Sequence, residues 1–401
     1  VKPKISGRAS SIPPSETLAL AARAKALRAE GRNVIDFSVG EPDFVTPLPA
    51  LRAAQAAIDK RETKYPPNNG TPELRNAIAR RIKLDFDREV DPARVIVSNG
   101  AKQTLFNLVQ VLVDPGDEVL LAAPYWVSYP AMVSLAGGVT KPIETRASED
   151  FRLHPADVAN AIGPRTKLLI LNSPQNPTGA VYPPDDVDAI VEICLERGVT
   201  LVSDEMYSFL VFGDAKHRSV LETRDPRVDE SVVFVSGVSK TYAMTGFRIG
   251  YAYGPKEIVD ACSRFQSHST SGAAGISQRA AASALTECDD DAARMRDQFA
   301  ARCKVAKERF RSIPHLKVPD AKGAFYVFPD FSHYFGKKIE GELVKGSADL
   351  SRVLLDKANV ACVPGAAFGA DAHLRISYAL DVKELEEGIA RIARALAGAK
   401  P

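Results

Sequence analysis

Four apolar runs in this chain end on residues able to do chemistry. Val232-Val-Phe-Val-Ser-Gly-Val-Ser leads straight into Lys240, and Met244-Thr-Gly-Phe-Arg248 precedes the next apolar run. A lysine at the end of a buried strand, desolvated enough to hold a neutral amine, forms an imine with an aldehyde, while Ser239 and Arg248 can donate to an attached phosphate. Taken alone, a lysine is more often a solvated surface residue and an arginine an ion-pair partner. The other three runs change that balance.

Leu201-Val-Ser-Asp204-Glu-Met-Tyr207 places a carboxylate just past an apolar run, where burial without a partner is costly. A protonated pyridine nitrogen is a partner with a purpose, since a pyridinium ring accepts carbanion electrons better than a neutral one, and Tyr207 can reach such a ring's phenolic oxygen. An aspartate here is also an ordinary helix cap. Leu168-Leu-Ile-Leu-Asn172-Ser-Pro-Gln-Asn176-Pro-Thr-Gly179 forces a turn, and Asn176 can donate to the same phenolate or merely stabilise its own backbone. In Val95-Ile-Val-Ser-Asn99-Gly100-Ala101-Lys102 a glycine separates strand from helix, leaving backbone N–H groups that can hold a phosphate. Trp126, the single tryptophan, follows Ala122-Ala-Pro-Tyr at a further strand end, where its face can stack on a planar ring or pack as core.

These residues need a scaffold that brings strand ends together. Short runs rich in Val, Ile and Leu at 95–98, 119–122, 168–171, 200–203, 232–235 and 249–253 alternate with helix-like segments, as a parallel sheet covered on both faces requires. Ligands bind at the carboxyl ends of strands in such sheets. One helix is predicted over 185–197, opening after Pro183-Pro184 with acidic residues and stopping before Gly198. Beyond about residue 277 the pattern changes to long Ala/Arg-rich helices, then strand-like 324–328, 360–363 and 374–378, and a final helix from about Val382. The expected division is a large α/β unit over 45–280 and a smaller α+β unit made of 1–44 and 281–401. The Gly- and Lys-rich stretch 332–347 reads as a mobile loop.

At 401 residues and 45% hydrophobic content the chain can bury a large core. A formal net charge of +2 gives no bulk signal for nucleic acid or acidic membrane. Five scattered cysteines without a C-x-x-C pair argue against a disulfide framework and a zinc site, and fit a reducing cytoplasm; no metal is expected. No apolar run reaches the roughly 18 residues of a membrane helix, and no secretory h-region opens the sequence.

Eight motifs in order, Gly40-Glu-Pro-Asp-Phe, Tyr65 through Gly70-Thr-Pro-Glu-Leu, Asn99-Gly-Ala-Lys-Gln, Pro124-Tyr-Trp-Val-Ser-Tyr, Asn172-Ser-Pro-Gln-Asn-Pro-Thr-Gly, Ser203-Asp-Glu-Met-Tyr, Ser239-Lys through Arg248-Ile-Gly, and Leu374-Arg-Ile-Ser-Tyr, resemble the class I aminotransferases of the fold-type I pyridoxal phosphate enzymes. The likeness is greatest to their bacterial aspartate/prephenate aminotransferase branch and runs from about Pro14 to the last helix. It implies pyridoxal 5'-phosphate as cofactor, held covalently by Lys240. Asp204 is then the pyridine-nitrogen partner, Asn176 and Tyr207 the contacts of the phenolic oxygen, and Trp126 the stacking ring. Gly100, Ala101, Lys102, Ser239 and Arg248 lie around the phosphate edge, and Tyr65 reaches the phosphate of a neighbouring subunit, which implies a homodimer.

The resemblance further implies that Arg375 takes the substrate α-carboxylate in a bidentate fork beside Gly40 and Asn176, and that Lys102, Ser15 and Thr17 engage a distal carboxylate. Aspartate, glutamate and 2-oxoglutarate are the favoured substrates, and prephenate or aromatic substrates the alternative. Gly237 and Gln175 depart from common family residues, with Ser236 and Ser239 expected to replace a phosphate contact at Gly237. Two other readings are weaker: a pyridoxal phosphate lyase, and a ligand-sensing regulator, which calls for a DNA-binding segment ahead of Gly40 and a basic footprint.

Overall fold

The computed structural model describes residues 4–10, 12 and 16–401, the side chains of 16–18 excepted. Its centre is a seven-stranded sheet in the spatial order Val95–Asn99, Ile249–Tyr253, Val232–Gly237, Thr200–Asp204, Thr166–Asn172, Glu118–Ala123, Val139–Glu144. Every neighbouring pair is parallel except the two that involve Ile249–Tyr253, which runs antiparallel to both its neighbours. Six of the strands coincide with the apolar runs, extended by one or two residues at most at either end. The seventh, Val139–Glu144, sits at the edge with only Ile143 buried, so it carries no apolar run.

Alternation along each strand feeds one core on one face of the sheet and two on the other. Ile96, Val119, Leu121, Leu168, Ile170, Val202 and Val235 pack on one face with Leu105, Leu108 and Val109 of helix Ala101–Leu112. On the other face Leu120, Leu169, Leu171 and Leu201 pack on Val187, Ile190 and Val191 of helix Pro184–Arg197, and Val95, Val97 and Tyr251 pack against Leu74, Ile78 and Ile82 of helix Pro72–Phe86. Helix Pro184–Arg197 has the predicted ends, with Asp185 and Asp186 in its first turn and Gly198 in the left-handed region at φ 65°.

The C-terminal part forms a second, antiparallel sheet, Val363–Pro364, Leu374–Ser377 and Tyr326–Val327, packed by the long helix Asp289–Arg311 and the final helix Val382–Ala397. The N-terminal segment joins it, Ile35–Asp36 pairing in parallel with Val360–Ala361. One continuous core links Phe299, Phe325 and Ile376 here with Val202 and Val235 of the large sheet. The stretch expected to be a mobile loop is instead tied down. A hairpin of Lys338–Ile339 and Glu342–Leu343 and the fully buried Ile339 and Val344 anchor it, apolar residues spaced too far apart to register as a pattern.

Two glycines seat the helix start and Arg248 that border the cavity described below. A Cβ on Gly250 would lie 2.0 Å from the amide nitrogen of Ala101, so only glycine lets the start of helix Ala101–Leu112 seat against strand Ile249–Tyr253. Gly100 adopts φ 82°, and a Cβ there would meet Arg248 Nη2 at 2.7 Å. We expect Gly250→Ala to lower the unfolding free energy by about 1–3 kcal/mol in denaturant titrations, because backbone must move to admit the methyl. Gly246→Ala, with nothing within 4 Å of its Cβ position, serves as the near-neutral control.

Candidate active site

The carboxyl ends of the parallel strands open onto a cavity of about 530 Å³, lined by Gly40, Ala101, Lys102, Trp126, Asn176, Asp204, Tyr207, Ser239, Lys240, Arg248 and Arg375. Sequence positions from 40 to 375 thus meet in one space. Tyr65 is not among them; its side chain is 95% exposed. Ser15 lies outside the described residues, as does the side chain of Thr17, whose backbone belongs to helix Glu16–Ala29.

Lys240 follows strand Val232–Gly237 and donates from Nζ to the Gly40 carbonyl at 2.6 Å. Desolvation pushes its ammonium down to about 8; Glu41 opposes this, and Arg375, Arg248 and Lys102 add to it. By the acid–base arithmetic of such a group, roughly a tenth of Lys240 is neutral amine at pH 7. An ordinary surface lysine is neutral about a thousandfold less often than it is charged.

Asp204, the last residue of strand Thr200–Asp204, is 6% exposed. It accepts from Tyr129 Oη at 2.6 Å and from the Met206 amide at 3.2 Å. Burial raises its proton affinity, to about 6, against the pull of those two donors. No cation of the described residues forms an ion pair with it, so the carboxylate is open to a positive group in the cavity. Asn172 donates to the Asp204 carbonyl at 2.9 Å and accepts from the Asn176 amide at 2.9 Å, which couples two of the strand ends.

Arg375 lies in strand Leu374–Ser377 and is 4% exposed. Its Nη1 donates to Asn176 Oδ1 at 3.1 Å and its Nη2 to the Ser38 carbonyl at 2.8 Å, while Nε has no partner. The guanidinium also stands 4.6 Å from the ring centre of Tyr326 and 5.2 Å from that of Phe368. Among the described residues no carboxylate pairs with this buried charge. Tyr207 Oη and Tyr326 Oη are 3.0 Å apart just beside it.

At the other end of the cavity, Gln103 and Thr104 donate back to the Gly100 carbonyl, so the amides of Ala101 and Lys102 are left as the open donors of the helix start. Arg248 is fixed beside them, donating to the Thr245 carbonyl at 2.9 Å and to that of Asn99 at 3.4 Å. Lys102 Nζ lies 4.9 Å over the Trp126 ring, and its ammonium is pushed down by burial and by Arg248. An anion of phosphate size fits this end on chemistry and on donor count.

The two departures noted in the sequence have physical reasons. A Cβ on Gly237 would meet the Ile249 carbonyl at 2.8 Å, leaving no room for a side chain. Ser239, just past the strand, borders the cavity as expected, whereas Ser236, inside the strand, turns to Tyr251 and does not line it. Gln175 ties its turn to the neighbouring strand end, donating to the Pro124 carbonyl at 2.9 Å and to Tyr182 Oη at 3.0 Å. Sequence reasoning gave no role to Tyr129, Tyr326, Asn172 or Ser38. Tyr129 had one signal, since it stands one helical turn beyond Trp126; Tyr326 and Ser38 come to the site only through tertiary packing.

The groups present fit pyridoxal phosphate: a desolvated amine, a buried carboxylate lacking a cation, an aromatic ring, and a basic helix start. The chain matches the family model described as aminotransferase class I and II over residues 32–392. It is 42% identical to aspartate aminotransferase of Geobacillus stearothermophilus over 394 residues, 98% of each chain. It is 43% identical, over 98% of each chain, to the probable aspartate/prephenate aminotransferase of Aquifex aeolicus. The solved aspartate aminotransferase of Thermus thermophilus with maleate superposes with a TM-score of 0.92 at 39% identity, covering 98% of this chain and 100% of that one. The chain belongs to the class I and II aminotransferases, pyridoxal phosphate-dependent enzymes of fold type I, within the aspartate/prephenate branch.

Proposed function

We propose that this aminotransferase exchanges amino groups between aspartate and 2-oxoglutarate, taking the two substrates in turn at one site. The observation that carries the reading is a pair of cations in one cavity, Arg375 and Lys102, neither with a carboxylate partner among the described residues. A dicarboxylic substrate supplies one carboxylate to each. The relatives named for aspartate and the solved relative with maleate, itself a dicarboxylate, support the choice. The name of the Aquifex relative keeps prephenate, which also bears a second carboxylate, as the alternative.

Pyridoxal phosphate, when bound, supplies an electron sink for negative charge developing at the substrate Cα. Lys240 holds its aldehyde carbon through Nζ. Asp204 holds a proton at its ring nitrogen, with Tyr129 fixing the carboxylate. Asn176, whose Oδ1 is engaged by Arg375, has its Nδ2 left to donate to the phenolic oxygen together with Tyr207. Ser239, Arg248 and the Ala101 and Lys102 amides hold the phosphate, and Trp126 covers the ring.

Arg375 grips the substrate α-carboxylate and so sets which Cα bond faces Lys240. Once a substrate amine takes its place, Lys240 Nζ would take the α-proton and return it to the cofactor's aldehyde carbon, on the far side of the amino nitrogen, the task for which a proton affinity near 8 suits it. Two chain units, 45–280 and 1–44 with 281–401, are the proposed halves of a closing site. A homodimer is proposed, with the exposed Tyr65 reaching a neighbour's phosphate. No helix among the described residues is long and apolar enough to cross a membrane, and a cytoplasmic location suits the five cysteines, free and buried.

The pH dependence of cofactor capture follows from Lys240. Because the neutral amine attacks, the rate should rise about tenfold per pH unit up to about 8 and flatten above it, read by stopped-flow absorbance. A rate still climbing steeply between pH 9 and 10 would show Lys240 to be an ordinary lysine. For the carboxylate sites, Arg375→Ala should cut kcat/KM for every amino acid by about 10²–10³, and Lys102→Ala by about 10–10² for aspartate and glutamate alone. Equal losses for aspartate and alanine in the Lys102 variant would remove the specificity argument. In the same assay, aspartate and 2-oxoglutarate should give oxaloacetate and glutamate; pyruvate and ammonia without glutamate would mean a lyase.

A further inference from the structure

Next to Asp204 stands a second buried carboxylate that does not line the cavity. Glu205 has a side chain only 1% exposed and is anchored by its own amide, which donates to the Val235 carbonyl at 2.9 Å. Its Oε1 accepts from Ser203 Oγ at 3.0 Å and from the Val220 amide at 3.1 Å. Its Oε2 is met by His217 Nε2 at 2.8 Å. His217 is the one cation-forming side chain in contact with Glu205 among the described residues.

His217 is itself held for this contact. Its side chain is 8% exposed, its ring lies edge-on to Phe86 at 6.4 Å, and its Nδ1 is buried with no partner. The segment that carries it is pinned two residues later, where Ser219 accepts from the Leu221 amide at 3.2 Å and Glu222 accepts from the Ser219 amide at 2.8 Å. Arg218 turns away to Asp188 at 3.0 Å. The other titratable groups bearing on the pair are Tyr251 on strand Ile249–Tyr253 and Asp85 on helix Pro72–Phe86, the latter bound by Arg81 Nε at 2.9 Å.

Asp204 and Glu205 share a peptide bond and project to opposite sides of the strand end, one toward the cavity and one away from it. Two like charges so close in a desolvated setting each disfavour ionisation of the other. We propose that His217 is a positioning residue for Asp204: its contact with Glu205 Oε2 at 2.8 Å offsets that carboxylate, so that Asp204 can keep its charge toward the cofactor ring. This rests on the reading of Asp204 as the ring-nitrogen partner. Burial of Asp204, with Glu205 adding to its proton affinity, makes the balance consequential near neutral pH. Asp204 has little to spare.

The test is the dissociation constant of pyridoxal phosphate from the holoenzyme between pH 6 and 8.5, by equilibrium dialysis with the fluorescence of Trp126 as the signal. The chain's single tryptophan borders the cavity and so reports on it. Affinity falls on the acid side as Lys240, alike in every variant below, and Asp204 take their protons, so the limb of each variant is read against that of the wild type. In His217→Leu, which removes the contact to Glu205, that acid limb should move up by about one pH unit, raising the constant about tenfold at pH 6.5 and leaving it unchanged above pH 8. Adding Glu205→Gln removes the unbalanced charge and should return the limb to its wild-type place. An unmoved limb in His217→Leu, or a double variant displaced as far as the single one, overturns the proposal. An unaltered constant in Asp204→Asn removes its premise instead, and with it the assignment of Asp204.

Discussion

Charge held out of water without a partner is the constraint on which this molecule turns. Arg375 is 4% exposed and bonded only to neutral oxygens, and Asp204 is 6% exposed with only neutral donors. Replacing either by a neutral residue would relieve the fold, since a buried charge without its counterion opposes folding by several kcal/mol. In the proposed function the counterions come with the ligands: a substrate carboxylate for Arg375, a protonated ring nitrogen for Asp204. The same desolvation that makes these groups uncomfortable brings Lys240 near the range in which it exchanges protons at neutral pH.

The fold keeps such groups apart and aimed. A parallel sheet sends successive strands out at one edge, and the loops leaving Thr166–Asn172, Thr200–Asp204 and Val232–Gly237 deliver Asn176, Asp204 and Lys240 side by side. The segment from Ser38 to Thr46 closes the other side. Along it Ser38 accepts from Arg375, Gly40 from Lys240 and Glu41 from Thr245, while Asp43 pairs with Arg302 and Thr46 donates to the Ala243 carbonyl. Because Ile35–Asp36 pairs with Val360–Ala361, this strap ties the C-terminal part to Lys240 through the Gly40 carbonyl.

Much of this could be read from the chain before any coordinates. Lys240, Asp204, Asn176 and the Gly100 turn lie within a few residues of the strands that aim them, so local pattern and strand-end logic place them together. The edge strand Val139–Glu144 and the anchored 332–347 segment escaped because neither carries enough apolar residues to set up a period. Tyr326, Ser38 and the His217–Glu205 pair escaped for another reason. Their partners are distant in sequence or hidden by an ordinary loop, and only packing brings Tyr326 Oη to Tyr207 or His217 to Glu205. Arg375 was legible as a site residue only through resemblance, since its strand alone looks like any other.

The central claim is that Lys240 is where the cofactor is attached, and it can be tested without any assay of turnover. The protein loaded with pyridoxal phosphate is reduced with borohydride, digested, and its peptides weighed. A single peptide, the one containing Lys240, should gain the mass of the reduced pyridoxyl phosphate group, and the gain should vanish in Lys240→Ala. The same adduct on another lysine, or its persistence in the variant, would contradict the account.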